Sequence, residues 1–118
     1  MLLNISNHRP GNRQKRQLEA AREYGEIVDF PFPAVLPEAT AEEIRALADE
    51  VFAEAAALRP DCVLCCGEFT LTWQLIKRFL AHGIKTVSPC TQRICRETVL
   101  PSGEIRREAV FDFVQFRE

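Results

Sequence analysis

The sequence predicts an α/β domain of the Rossmann-like type, a three-layer sandwich in which helices cover both faces of a mostly parallel β-sheet. Three observations lead to this fold class. Short apolar segments alternate with helical segments, one apolar run is continuous, and the C-terminal segment has the pattern of a β-hairpin. The chain of 118 residues fits one domain, 1–118, and 47% hydrophobic residues allow it to bury a core.

The first part of the alternation is a short strand, a weak helix and a second short strand. Residues 1–6 are apolar, as in a buried strand, and the polar residues 7–12 after them have the composition of a loop. Apolar residues at helical spacing predict a helix over about 13–24, which Gly25 ends. Residues 26–30 predict the second strand, and three prolines after it predict an extended connection.

The middle of the chain contains the strongest helix signals. Thr40 and Glu43 form a capping box, so a helix begins there, and Pro60 stops it. The continuous apolar run 62–66 is typical of a central strand that is covered on both faces. A third helix is predicted over about 70–82, because its apolar residues recur at helical spacing.

The last segments predict a fourth strand and a hairpin. Residues 84–87 form the strand, which Pro89 closes, and residues 94–100 and 105–116 form the two strands of the hairpin. Right-handed crossovers favour the flavodoxin-like strand order 2-1-3-4, with the hairpin extending one edge. In such sheets ligands bind beyond the carboxyl ends of the strands, at the switch point between strands 1 and 3.

The candidate site therefore consists of residues, most of them polar, that lie at or beyond the ends of the first, third and fourth strands. They are Asn4, Ser6, Asn7 and His8, then Gly67, Glu68, Phe69, Thr70 and Thr72, and finally Thr91 and Arg93. An imidazole suits acid–base chemistry near neutral pH, a guanidinium can hold a phosphate, and a helix N-terminus binds anions. Structural interpretations stay open: Glu68 can merely complement the helix dipole, His8 can be a surface histidine, and Arg93 a solvated charge.

The cysteine pattern argues against a metal site. Cys62 and Cys65 lie three apart within an apolar strand, so they point to opposite faces and cannot bind one metal. Together with Cys66 they are predicted to be small core residues. Cys90 and Cys95 lie closer to the site but have no clearly placed basic neighbour. We expect no metal and no cofactor, since the common nucleotide and hydrolase motifs are absent as well.

Charge and hydropathy restrict the partners. A formal net charge of -2 does not favour binding to long nucleic acid or to an anionic membrane. No apolar run approaches the roughly 18 residues of a membrane helix. An odd cysteine count without a signal peptide predicts reduced thiols and a cytoplasmic protein.

Four segments resemble a small family of stand-alone CRISPR-associated proteins, single-domain relatives of the CARF (Rossmann-like) domains of type III systems. They are Leu-Leu-Asn-Ile-Ser-Asn-His at 2–8, Tyr-Gly-Glu-Ile-Val-Asp at 24–29 followed by Phe-Pro, Gly-Glu-Phe-Thr at 67–70, and Phe-Val-Gln-Phe-Arg at 113–117. The resemblance covers almost the whole chain. It implies a homodimer that binds cyclic oligoadenylate, chiefly the four-membered ring, across both switch-point loops.

The resemblance also implies a ring nuclease that switches off type III CRISPR signalling without a metal. A ribose 2′-OH attacks the adjacent phosphorus and leaves a 2′,3′-cyclic phosphate. His8 would be acid or base, Glu68 would orient or deprotonate the 2′-OH, and Arg93 with the N–H groups near Thr70 would hold the phosphate. Asn7, Ser6 and Thr72 would position ribose and base. Two alternatives stay open: a non-catalytic sensor or sequestering module, and an unrelated small α/β protein such as a thiol-dependent enzyme.

Overall fold

The computed structural model describes residues 1–6 and 15–118, and in this part of the chain strands and helices alternate as predicted. In chain order they are β1 (Leu2–Ser6), α1 (Lys15–Arg22), β2 (Ile27–Pro31), α2 (Ala41–Ala57), β3 (Cys62–Cys66), α3 (Phe69–Ala81), β4 (Lys85–Val99) and β5 (Ile105–Arg117). The sheet has the order β2-β1-β3-β4-β5. The first four strands pair in parallel and β5 pairs with β4 in antiparallel fashion, which confirms the Rossmann-like fold.

The central strands β1 and β3 are covered on both faces. Leu3 and Ile5 belong to a core cluster that includes the inner faces of α2 and α3, whereas Leu2 packs on the opposite face with Ala21 of α1. Every residue of β1 is buried. This double coverage explains why the sequence of a central strand is a continuous apolar run rather than an alternating one.

The cysteines of β3 divide between the two faces. Cys62 lies in the cluster next to α1 and Cys65 in the cluster beneath α2 and α3, as the spacing predicted. Burial raises the pKa of the Cys65 thiol to about 12, so at neutral pH it is an inert core residue. Cys66, in contrast, is exposed at the end of the strand, so its assignment to the core was wrong.

The helix boundaries follow the predicted capping residues. The Thr40 hydroxyl oxygen accepts the Glu43 N–H at 3.2 Å at the start of α2, and the same hydroxyl donates to the Glu43 carboxylate. α3 ends before Gly83, whose φ of 72° is the left-handed conformation that glycine adopts after a helix. Among residues 1–6 and 15–118, no helix combines the length and the apolar character that a membrane span needs.

β4 does not end at Pro89, and the prediction that this proline closes the strand was wrong. The pairing of β4 with β3 extends from Lys85 to Val87 and stops there. Because Pro89 lies beyond the last β4 residue that pairs with β3, its missing N–H does not interrupt that ladder, and β4 continues to Val99. The fourth strand and the first strand of the hairpin are therefore one element.

The distal parts of β4 and β5, Thr91–Val99 with Ile105–Phe113, form a two-stranded arm. At its base the β-bulge at Val114 shifts the register, because Cys90 pairs with Gln115 whereas Thr91 pairs with Phe113. At its tip Gly103, with a φ of 85°, completes a three-residue turn in which Leu100 N–H donates to Glu104 O at 2.8 Å.

The arm projects past the carboxyl ends of the parallel strands. Val99 lies twelve residues beyond Val87, the last β4 residue paired with β3, and this corresponds to roughly 40 Å of extended strand. The radius of gyration is 17.3 Å. A compact domain of this length would have about 13–14 Å. The arm thus makes the chain elongated, on the side of the sheet where the candidate site lies.

We expect Gly67→Ala to lower the free energy of unfolding by about 1–3 kcal/mol, because the added methyl overpacks a tight contact. A Cβ at this position would lie 2.5 Å from Cε2 and Cζ of Phe32. Denaturant unfolding would measure the change. Phe32→Leu is the matched partner, and the double variant should lose less stability than the sum of the single variants. Strict additivity would show that the ring does not enforce glycine here.

Candidate functional site

The ends of three parallel strands meet at the predicted switch point. Ser6, the last residue of β1, pairs with Cys66 of β3 on one side and with Pro31 of β2 on the other. The loops that follow β1 and β3 therefore start side by side, as the strand order predicted. Asn7 and His8 belong to the first of these loops and lie outside the described residues.

A chain of hydrogen-bonded polar side chains, buried at Asn4 and Ser6 and exposed at Asp29, lies beneath this row of strand ends. Ser6 Oγ donates to Asn4 Oδ1 at 2.7 Å, and Asn4 Nδ2 donates to Asp29 Oδ1 at 2.8 Å. Asn4 is only 2% exposed and Ser6 only 7%. The two residues share one side of β1 as predicted, but they contact each other and Asp29.

Among the described residues, a cavity of about 10 Å³, the space of a single water at most, lies beside Asn4. The hydrogen bonds of Asn4 with Ser6 and Asp29 link the ends of β1 and β2. Asp29 was not identified from the sequence, although a carboxylate within the otherwise apolar run 27–30 was a usable signal.

Glu68 caps its own helix, α3. Its carboxylate accepts the N–H groups of Thr70 at 3.1 Å and Leu71 at 2.8 Å, and the Thr70 hydroxyl donates to both carboxylate oxygens. These hydrogen bonds, foremost the one from the Thr70 hydroxyl, hold the pKa of Glu68 below its usual value. A carboxylate of lowered pKa is a weak base, and it already occupies the place that an external anion would take at this helix N-terminus.

The other polar groups of this loop also have internal partners. Gly67 N–H donates to Thr72 Oγ1 at 3.1 Å, and Thr72 N–H donates to the Glu68 carbonyl oxygen at 2.9 Å. Gly67 lies against the side chain of Phe32, which leaves no space for a Cβ at this position. The polar groups of residues 67–72, a short turn and the first turn of α3, are thus largely hydrogen-bonded to one another.

An apolar groove of about 310 Å³ lies next to this turn, between the N-terminal ends of α2 and α3. Its walls are Ala39, Ala41, Ile44, Phe69, Thr70, Trp73 and Gln74. Two aromatic rings border it with unusually high exposure, since Phe69 is 80% and Trp73 54% exposed. Of these residues only Phe69 and Thr70 were predicted from the sequence. The i, i+4 spacing of Phe69 and Trp73, outside the buried Leu71 and Leu75, could have revealed the pair.

Thr91 and Arg93 lie in the arm, within β4. The prediction that they follow the fourth strand was wrong, because β4 continues through them to Val99, but they do lie beyond the carboxyl edge of the sheet. The register places Pro89 level with Cys66, so Arg93 lies about 13 Å further along the strand direction. Both side chains are exposed. The fold therefore sets Arg93 above the row formed by Ser6, Pro31 and Cys66.

Metal-ligating side chains do not gather in the part of the chain that the structure describes. Within residues 1–6 and 15–118, no three His, Cys, Asp or Glu side chains come close enough to hold an ion. The five cysteines are free thiols, of which Cys66 and Cys95 are exposed and Cys90 is half-buried.

Comparison with known protein families matches the chain to a family model. The family described as the Uncharacterized protein MJ1673 family matches residues 1–117, nearly the whole chain. The description states no activity, substrate or partner. No curated protein and no solved structure matches the sequence.

We expect Glu68→Ala to lower the melting temperature at pH 7, because the N–H groups of Thr70 and Leu71 lose their acceptor. Glu68→Asn, which keeps a capping oxygen, should restore part of the loss. The effect should depend on pH in a defined direction. Since the pKa of folded Glu68 lies below 4.5, its stabilisation is complete above that pH and is lost as the pH falls through the lowered value.

Differential scanning fluorimetry between about pH 3 and pH 8 would measure this dependence. The difference in melting temperature between the native chain and Glu68→Ala should become smaller in the acidic range. A difference that stays constant down to the lowest pH would show that the ionised carboxylate does not cap α3.

Proposed function

Since the chain belongs to the MJ1673 family, we propose a function from the site and from the resemblance to stand-alone CARF-like proteins. We propose that the protein is a ring nuclease that binds cyclic oligoadenylate, chiefly the tetra-adenylate, and cleaves it without a metal ion. Its role would be to end type III CRISPR signalling, an antiviral response in the cytoplasm.

The exposed aromatic groove beside the switch point is the observation that supports this proposal most directly. Nucleobases stack on exposed aromatic rings, and each stack contributes about 1–3 kcal/mol. Phe69 and Trp73 offer two such rings next to the loop after β3, in a groove large enough for a base. Gln74 also lines the groove, and amide side chains are common partners of adenine.

The phosphates of the ring require positive charge for binding. The structure changes which residues we expect to supply that charge. The N–H groups of Thr70 and Leu71 are engaged by Glu68, so they are poor candidates for phosphate binding. Arg93 stands above the edge of the sheet, and the loop after β1 contains Arg9 and Arg13 together with His8. We propose that these side chains meet the phosphates. A homodimer would present each of them twice to a two-fold ligand.

The proposed reaction is an internal transesterification. The 2′-oxygen of one ribose forms a bond to the adjacent phosphorus while the bond from phosphorus to the 5′-oxygen breaks. One group removes the 2′-OH proton and one protonates the leaving 5′-oxygen, so the products are a 2′,3′-cyclic phosphate and a 5′-OH. His8 is proposed for this proton transfer. For Glu68 we now propose a positioning role, because a capping carboxylate of lowered pKa is a weak base.

One observation favours a second function, that of a non-catalytic sensor or sequestering module. Glu68 is committed to the cap of α3, so the described part of the site loses its only predicted carboxylate base. Such a protein would bind the same ring in the same groove. The two functions differ in turnover, which an assay can separate.

We expect the protein to convert labelled cyclic tetra-adenylate in EDTA into linear products that end in a 2′,3′-cyclic phosphate. His8→Ala should lower the rate by about 100-fold or more while ring binding persists. His82→Ala is the matched control, because His82 lies at the C-terminal end of α3, away from the groove, and this variant should cleave at nearly the native rate. Binding of an intact ring without products would establish the sensor, and absence of both binding and cleavage would refute both functions.

We expect Trp73→Ala to weaken binding of the ring by about 10-fold or more, because one stacking surface is lost. Leu80→Ala is the matched control, since Leu80 is 58% exposed near the other end of α3, away from the groove. The ligand-induced rise in melting temperature would report binding of both variants. Equal losses in the two variants would place the ring elsewhere.

A further inference from the structure

The arm has no supporting third strand in the described part of the chain. β5 pairs with β4, and β4 leaves β3 behind at Val87. At the tip, the neighbouring side chains of Val99 and Ile105 are 72% and 60% exposed. An isolated two-stranded ribbon is marginally stable in water, whereas three or more strands can be stable. Pairing with a further strand would therefore stabilise the arm.

The free edge of β5 can accept such a strand. Leu100 N–H donates to Glu104 O, and hydrogen-bonded pairs alternate with non-bonded pairs along an antiparallel ladder. It follows that Glu97 and Arg107 form a non-bonded pair. The N–H of Arg107 faces the outer edge of β5, and the N–H of Glu97 faces the opposite edge of the hairpin. The sequence of β5 contains no proline that would blunt its edge.

We propose that the β5 strands of two copies of this chain pair with each other, antiparallel, across a two-fold axis near Arg107. The two arms then become one four-stranded antiparallel sheet, which removes the weakness of each separate ribbon. A two-fold contact between identical strands is self-complementary by construction. This inference extends the homodimer of the proposed function, but its test needs no ligand.

The charges of β5 suit this pairing. Within one chain Arg106 and Glu108 form an ion pair at 3.0 Å. With the axis at Arg107, Arg106 of each copy also lies opposite Glu108 of the other, so the four charges alternate in sign across the facing strands, which is favourable. The two Arg107 side chains would meet at the axis, where each is already balanced by its ion pair with Glu97 at 3.2 Å. Such a mixture of charges fits a second copy of the protein better than a nucleic acid, which would require an excess of arginine.

Light scattering coupled to size exclusion would test the proposal on the full chain without ligand. The native protein should have twice the mass of the 13.4 kDa chain. Arg107→Pro removes an outward N–H of β5 and should raise the dissociation constant by about 100-fold or more, which gives monomers. Glu97→Pro is the matched control, because it also removes the Glu97–Arg107 ion pair but blocks the other edge, and it should remain dimeric.

A charge exchange gives a second test that does not depend on proline. Arg106→Glu should weaken the dimer by about 10-fold, and adding Glu108→Arg should restore it. A monomeric native chain, a dimeric Arg107→Pro variant, a dimer lost only in Glu97→Pro, or an assembly larger than a dimer would each overturn the proposal. Ring cleavage by a chain that fails these tests would leave the proposed function standing.

Discussion

The burial of β1 on both faces is the constraint on which the rest of the structure depends. A strand of five residues, all buried, needs cover from two sides at once. The chain provides it by sending α1 to one face and α2 and α3 to the other, and right-handed crossovers then place β2 and β3 on either side of β1. The same arrangement brings the loops after β1 and β3 together at the carboxyl edge.

The polar groups at this edge are arranged by the need to satisfy buried or half-buried hydrogen-bonding atoms. Asn4, Ser6 and Asp29 form one chain of hydrogen bonds, and Glu68 satisfies the start of α3. Several residues that resemble a binding site in the sequence therefore make hydrogen bonds within the protein. Two aromatic side chains beside them, Phe69 and Trp73, are exposed, so stacking on these rings would contribute to the recognition of a ligand.

The arm exists because β4 continues beyond the residues that pair with β3. Pro89 lies beyond the last β4 residue that pairs with β3, so no hydrogen bond on that side requires its N–H, and the bulge at Val114 gives the ribbon a local bend. A proline that would end a central strand thus has little effect at a position where pairing does not require its N–H. In a two-fold pair of arms, the exposed β5 strand of each chain would become an inner strand of a larger sheet.

The sequence by itself determined the fold class, the strand order and most element boundaries, because these depend on local signals: the capping box at Thr40, the apolar run 62–66 and the glycine after α3. Only the tertiary structure decided what the site residues contact. Whether Glu68 acts as a base or as a cap, and whether Gly67 admits a ligand or Phe32, depends on partners that the fold brings near. The length of β4 likewise depended on where its neighbour ends, since a proline interrupts a strand only where a pairing N–H is required.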